Sequence, residues 1–170
     1  HNLLIPIAGA VAVSTGEHLS VGANVALAFV DTDVEASIVD SAEVTATGDV
    51  KVFASNASEV VSVSASLGIS ESSVGAAGAG SSINLDDNVQ AYVDGTLTAG
   101  GSLYLDADEN AKVLIVAGGA GGGDSGVGLS VANLNVKRNV QAYIGATAAV
   151  SVAGSGSGIS DPGATGLGGI

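Results

Sequence analysis

Apolar and polar side chains alternate along this chain, and the alternation recurs in three copies of one phrase: Val34-Glu-Ala-Ser-Ile38, Val89-Gln-Ala-Tyr-Val93 and Val140-Gln-Ala-Tyr-Ile144. Positions one, three and five are apolar and positions two and four polar, the period of a strand with one buried face. The copies begin 55 and then 51 residues apart. A near-constant period of short strands predicts a stacked array in which each repeat covers the next. The predicted fold is all-β, a β-solenoid of the right-handed parallel β-helix-like kind with about three repeats of 51–55 residues. The period suits two rungs per repeat, or one large coil with longer sides; a β-sandwich array is the structural alternative.

In chain order, residues 1–19 read as the end of a preceding repeat, because Leu3 to Gly9 resembles Val113 to Gly118. Residues 20–153 read as the solenoid, and 154–170 as a Gly/Ser-rich linker or tail. The start inside a repeat leads to the expectation of a slice of a longer array, or of a processed subunit whose end a partner covers. Within the first repeat, strands are expected at Asn24–Val30, Val34–Val39, Val44–Thr47, Val50–Ala54 and Val61–Leu67, with an acidic turn at Asp31–Asp33. The same turn is expected at Asp86–Asn88. Val61-Ser-Val-Ser-Ala-Ser-Leu67 alternates without a fault, which argues for a sheet with one wet face. The phrases place Val34, Ala36, Ile38, Val89, Ala91, Val93, Val140, Ala142 and Ile144 inward, with Gln90, Tyr92, Gln141 and Tyr143 outward. Val113 to Ala117 is apolar on both faces and needs a cover or stands as an aggregation liability.

Composition narrows this picture. With two Phe, three Tyr and no Trp, the interior must be built from Val, Ala, Leu and Ile. Five aromatic residues are too few for the girdles of a transmembrane barrel. Leu3 to Val13 is too short for a membrane-spanning helix, so the chain is expected not to span a membrane. A net charge of −13 opposes nucleic acid and anionic membrane surfaces. The absence of cysteine removes disulfides and thiolate chemistry.

Asn139-Val-Gln-Ala-Tyr-Ile144, together with Val44-Thr-Ala-Thr-Gly-Asp-Val-Lys-Val-Phe-Ala54 and the serine- or glycine-rich strands that follow, resembles repeats of very large bacterial surface proteins, the filamentous haemagglutinin-like and leukotoxin-type filamentous adhesins. The resemblance covers Ser20 to about Ala153. It implies an exported, extracellular β-solenoid acting as a stalk or adhesive fibre at the cell surface. Its expected partners are adjoining repeats or further copies end to end, and a host or neighbouring-cell surface protein or glycan. It supplies no active site.

Candidate chemistry is sparse. Asp31, Asp33, Asp86, Asp87, Asp106 and Asp108 bring oxygen ligands together at expected turns, and Ca²⁺ takes six to eight oxygens. The competing role is an Asx turn that satisfies backbone donors. The third repeat carries Lys137-Arg138-Asn139 where the first has Asp31-Thr-Asp33, which predicts a cross-rung ion pair there instead of a repeated metal site. Gly118 to Asp124 is expected to be a flexible loop. Thr45, Thr47, Thr96 and Thr98 resemble the threonine ranks of ice-binding solenoids, but they are offset by two residues between repeats. His1 and His18 are the only histidines, and four basic residues with scattered Tyr do not make a catalytic patch. The chain is therefore expected not to be an enzyme.

Overall fold

A computed structural model describes residues 2–154. The fold is an all-β solenoid, parallel β-helix-like, with no helix among the described residues. Its ten strands are β1 (Asn2–Leu4), β2 (Ile7–Ser14), β3 (Ser20–Ile38), β4 (Glu43–Ala46), β5 (Val50–Ser70), β6 (Val74–Val93), β7 (Thr96–Ala99), β8 (Leu103–Gly122), β9 (Ser125–Ile144) and β10 (Ala149–Val152). The tail expected at 154–170 lies, past Gly154, outside the described residues.

Each repeat is one large coil of a long strand, a four-residue strand and a second long strand. The two-rung expectation is corrected by the register. Val44 pairs in parallel with Leu97, and Leu97 with Val150, so a strand bonds to its equivalent one whole repeat away. β3, β6 and β9 form the second sheet, and β2, β5 and β8 the third. β1 and β2 run along β5 in the same sheet, with Leu3 opposite Glu59 and Ile7 opposite Val63. Pro6 lies between them; it has no N–H to give the ladder, but its carbonyl accepts the Val63 N–H at 3.0 Å.

The acidic turns expected at Asp31–Asp33 and Asp86–Asn88 are not turns. Both stretches lie within unbroken strands, β3 and β6, as Asp106–Asp108 lies within β8. Parallel pairing on a neighbouring coil continues through them because their side chains alternate faces like the rest. Gly118 to Gly122, expected as a loop, is also strand; only Gly123 and Asp124 turn the chain, and Gly123 does so at a φ of 151°.

The chain divides into two compact units, each collecting a segment from every coil rather than following the repeats. Unit one comprises residues 2–31, 57–87 and 110–138; unit two comprises 32–56, 88–109 and 139–154.

Unit two has the polarity that its alternation predicts. Val52, Ala54, Val89, Ala91, Val93 and Leu97 form a buried cluster, with Val34, Ala36 and Ile38 packed against it. Val140 and Ile144, expected inward, are 43% and 53% exposed because β9 is the last strand of its sheet.

Unit one is inverted. Ser62 and Ser64 are fully buried and Ser66 nearly so, while Val61, Val63 and Leu67 lie on the outer face. The wet face expected of this alternation is the dry one. The cause is the separation of the facing sheets. A Cβ on Gly68 would strike the Ala76 carbonyl oxygen, and one on Gly119 would meet the Leu129 carbonyl oxygen at 2.5 Å. Apart from Asn24, the inward positions at that end are Gly, Ala and Ser, and the interior widens to Val60, Ile83 and Ala28 further along the strands. Several buried hydroxyls find partners there, though Ser58 and Ser66 Oγ do not: Ser62 Oγ and Ser81 Oγ meet at 2.6 Å, Ser20 Oγ donates to the Ala12 carbonyl at 2.8 Å, and Ser70 Oγ to the His18 carbonyl at 2.7 Å. Asn24 accepts from Ser64 and donates to the Ala8 and Ala65 carbonyls.

Candidate interaction surface

The outward side chains of unit two form columns that run from coil to coil. In the first, Tyr92 Oη donates to Glu35 Oε1 at 2.7 Å, and the Tyr143 ring stacks on Tyr92 with centroids 5.0 Å apart and planes 4° from parallel. Parallel strands with a whole-coil register bring equivalent residues directly above one another, so the repeat of Tyr in the phrase becomes a physical stack. Hydrogen bonds from Tyr92 and then from Ser37 hold the Glu35 carboxyl below the usual carboxylate range, and the same Glu35 pushes the Tyr92 hydroxyl up. The outward placement of Tyr92 and Tyr143 agrees with the sequence. A Gln90–Gln141 rung does not form: Gln90 Nε2 donates instead to Asn88 Oδ1 at 3.0 Å.

A second column carries Asn139 to Asn88 at 2.8 Å and Asn88 to Asp33 at 3.0 Å. At the corners, Asp94 Oδ1 accepts from Thr147 Oγ1 at 2.5 Å and from the Thr147 N–H at 3.3 Å, while Asp49 Oδ1 accepts the Ser102 N–H at 2.6 Å. Lys51 Nζ lies 4.7 Å from the Phe53 ring centroid and 4.9 Å from that of Tyr104, within cation–π range. The Thr rows stay offset, as expected: Thr45 pairs with Thr98 and Glu43 with Thr96.

Unit one continues the pattern with Asn133 to Ser82, Asn135 to Asn84, and Lys137 Nζ to Asp86 Oδ2 at 3.0 Å, the cross-coil ion pair expected of Lys137. Arg138 Nη2 donates to the Ala111 carbonyl at 3.3 Å. A shallow groove of about 370 Å³ passes over Phe29, Asp31, Asn84, Asp86, Asn135 and Lys137. It holds no nucleophile beside a base.

The six acids singled out for metal are not brought together as a set. Asp31 and Asp86 share the groove, Asp33 belongs to the asparagine column, and Asp106 and Asp108 lie two apart on β8. Asp87 faces the opposite way from Asp86. It is 1% exposed, and neither carboxylate oxygen has a hydrogen-bond partner. Among the described residues no group of three or more His, Cys, Asp or Glu is arranged to hold a metal ion, and no helix is long and apolar enough to cross a membrane. His1 lies outside the described residues.

Sequence reasoning missed the Asn24–Ser64 network, the Lys51 stack and the corner acids Asp49 and Asp94. The corner acids had a signal, because each adjoins a glycine at a change of direction, Asp49 after Gly48 and Asp94 before Gly95. The interior of unit one had none, since alternation does not say which of its two faces is inside. Compared with protein-family models, with curated proteins and with solved structures, the chain matches none.

Proposed function

We propose that this chain is a non-enzymatic structural and adhesive element, a segment of an extracellular fibre or secreted adhesin at a bacterial surface. The observation that carries the proposal is the set of coil-to-coil columns, above all Glu35–Tyr92–Tyr143. They spend the outward polar side chains on one another, which suits a load-bearing stalk better than a pocket enzyme. The columns are also open-ended. Tyr143 stacks on Tyr92 on one side, and β9 and β10 lie at the edges of their sheets. An unpaired edge templates the addition of another strand, which supports a second form of the reading, a subunit of a self-assembling filament in which a further coil or copy continues each column.

Light scattering from neutral pH down to the sequence pI of about 4.1, with electron microscopy of any large species, tests this. Loss of carboxylate repulsion on acidification is expected to release end-to-end association. A particle that stays monomeric at high concentration throughout would count against stacking, and specific turnover of a polysaccharide or peptide would end the non-enzymatic reading.

A further inference from the structure

The outer face of the β2–β5–β8 sheet in unit one carries no ionisable side chain over 14 consecutive outward positions. They are Ile7 to Val13 on β2, Val61 to Ile69 on β5 and Leu114 to Gly122 on β8, taking every second residue. This occurs in a chain with 17 acids and a net charge of −13. Ile7, Val11 and Val13 are 74%, 72% and 66% exposed, and Leu114 and Val116 are 55% and 47% exposed. Isolated exposed aliphatics mean nothing, but a contiguous, uncharged sheet face marks an interaction site.

The face also has relief. Gly9 pairs with Ala65, and this row of small residues lies between the paired rows Ile7–Val63 and Val11–Leu67. Between β5 and β8, Ile69 comes within 4.0 Å of where a Gly122 Cβ would be, and Asn56 Nδ2 donates to Glu109 Oε2, both at an offset of 53 residues. The same offset sets Gly118 level with Ala65, Val116 with Val63 and Ala120 with Leu67. A trough, Gly9–Ala65–Gly118, thus runs beside a ridge, Ile7–Val63–Val116.

We propose that this face is the docking surface for a second copy of the chain, paired face to face about a twofold axis. The axis runs along the columns and lies between ridge and trough, so the ridge of each copy seats in the trough of the other. An isologous contact requires this self-complementarity, and dry interdigitation of small and branched rows is how paired sheets gain their contacts. The exposed aliphatics of the face offer on the order of 600 to 800 Å² per copy, against about 800 Å² per partner in a standard stable interface. The absence of charge lets two strongly acidic chains meet there without placing carboxylates opposite one another. The contact is lateral, and so separate from addition of strands at the open edges.

Sedimentation velocity of the full chain at neutral pH, over a range of concentrations, tests the pairing with three variants. Gly118→Val fills the trough, yet nothing lies within 4 Å of the added Cβ in the chain itself. Val116→Lys charges the ridge. Gly78→Val adds the same bulk on the opposite sheet, also with nothing within 4 Å. The expected result is a dimer for the parent and Gly78→Val, with dissociation constants raised roughly tenfold or more by Gly118→Val and Val116→Lys, all four keeping the same far-UV spectrum. A monomeric parent at every concentration would overturn the proposal. So would association that survives Gly118→Val, which would belong to the strand edges or to unspecific apolar contact, and so would a dimer that forms only after removal of residues 155–170, which would make the tail the occupant.

Discussion

Ser62 and Ser81 join their hydroxyls 2.6 Å apart inside unit one, while Val61 and Val63, the sequence neighbours of Ser62, lie outside. The usual consequence of exchanging serine and valine is therefore reversed here. Ser62→Val overfills the interior and strands Ser81, and is expected to destabilise by about 1–3 kcal/mol. Val63→Ser is expected to cost less than ~1 kcal/mol. Denaturant unfolding of both variants, at concentrations where the chain is monomeric, checks the order; a larger loss for Val63→Ser would then mean that the valines are the interior.

The approach of Gly68 to the Ala76 carbonyl sets a second contrast. Gly68→Ala forces two backbones apart and is expected to lower the melting temperature markedly. Gly78→Ala meets nothing within 4 Å and is expected to be neutral or stabilising by up to ~1 kcal/mol through the unfolded chain.

The Glu35–Tyr92 bond is linked to pH at both ends. The Glu35 carboxyl is held low, so its contribution is present above the ordinary carboxylate range and is lost as pH falls through the lowered value. The Tyr92 hydroxyl is held high, so its contribution is present below the ordinary tyrosine range and is lost as pH rises through the raised value. Phenolate absorbance should show the Tyr92 hydroxyl titrating above the ordinary tyrosine range, and Glu35→Gln should bring it back down.

Asp87 is buried with neither carboxylate oxygen bonded. Asp87→Val removes both unpartnered oxygens at similar size and is expected to stabilise the chain by about 1–3 kcal/mol. A destabilised variant would show that the carboxylate has a partner in solution. For Lys137, whose pair with Asp86 is 70% and 55% exposed, Lys137→Ala is expected to cost no more than ~1 kcal/mol and less at high salt.

The class of fold and the coil-to-coil placement of Tyr92 on Tyr143 were legible because a strand period of two and a repeat near 53 residues are both written in residue identity. Unit two was legible in detail for the same reason: Val89, Ala91 and Val93 are less polar than Gln90 and Tyr92, and its interior has room for them. The acidic stretches misled because Asp and Asn favour turns in isolation, whereas in β3 and β6 the pairing on adjacent coils outweighs that local preference. Unit one misled because alternation is the same whichever face is inside, and what decides it is the close approach of facing backbones across the corners, Gly68 against Ala76 and Gly119 against Leu129, which residue identity alone does not state.

The outward valines and leucines of unit one bear on its heat capacity. Heat capacity rises on unfolding in proportion to apolar surface newly exposed to water, and Ile7, Val11, Val25, Leu27, Leu129 and Val131 are each more than half exposed already. Melting a single copy of the chain should therefore give a heat-capacity step below the ordinary ~12–15 cal/mol/K per residue. Its stability then changes slowly with temperature, with the maximum broad and cold denaturation displaced far below the freezing point of water.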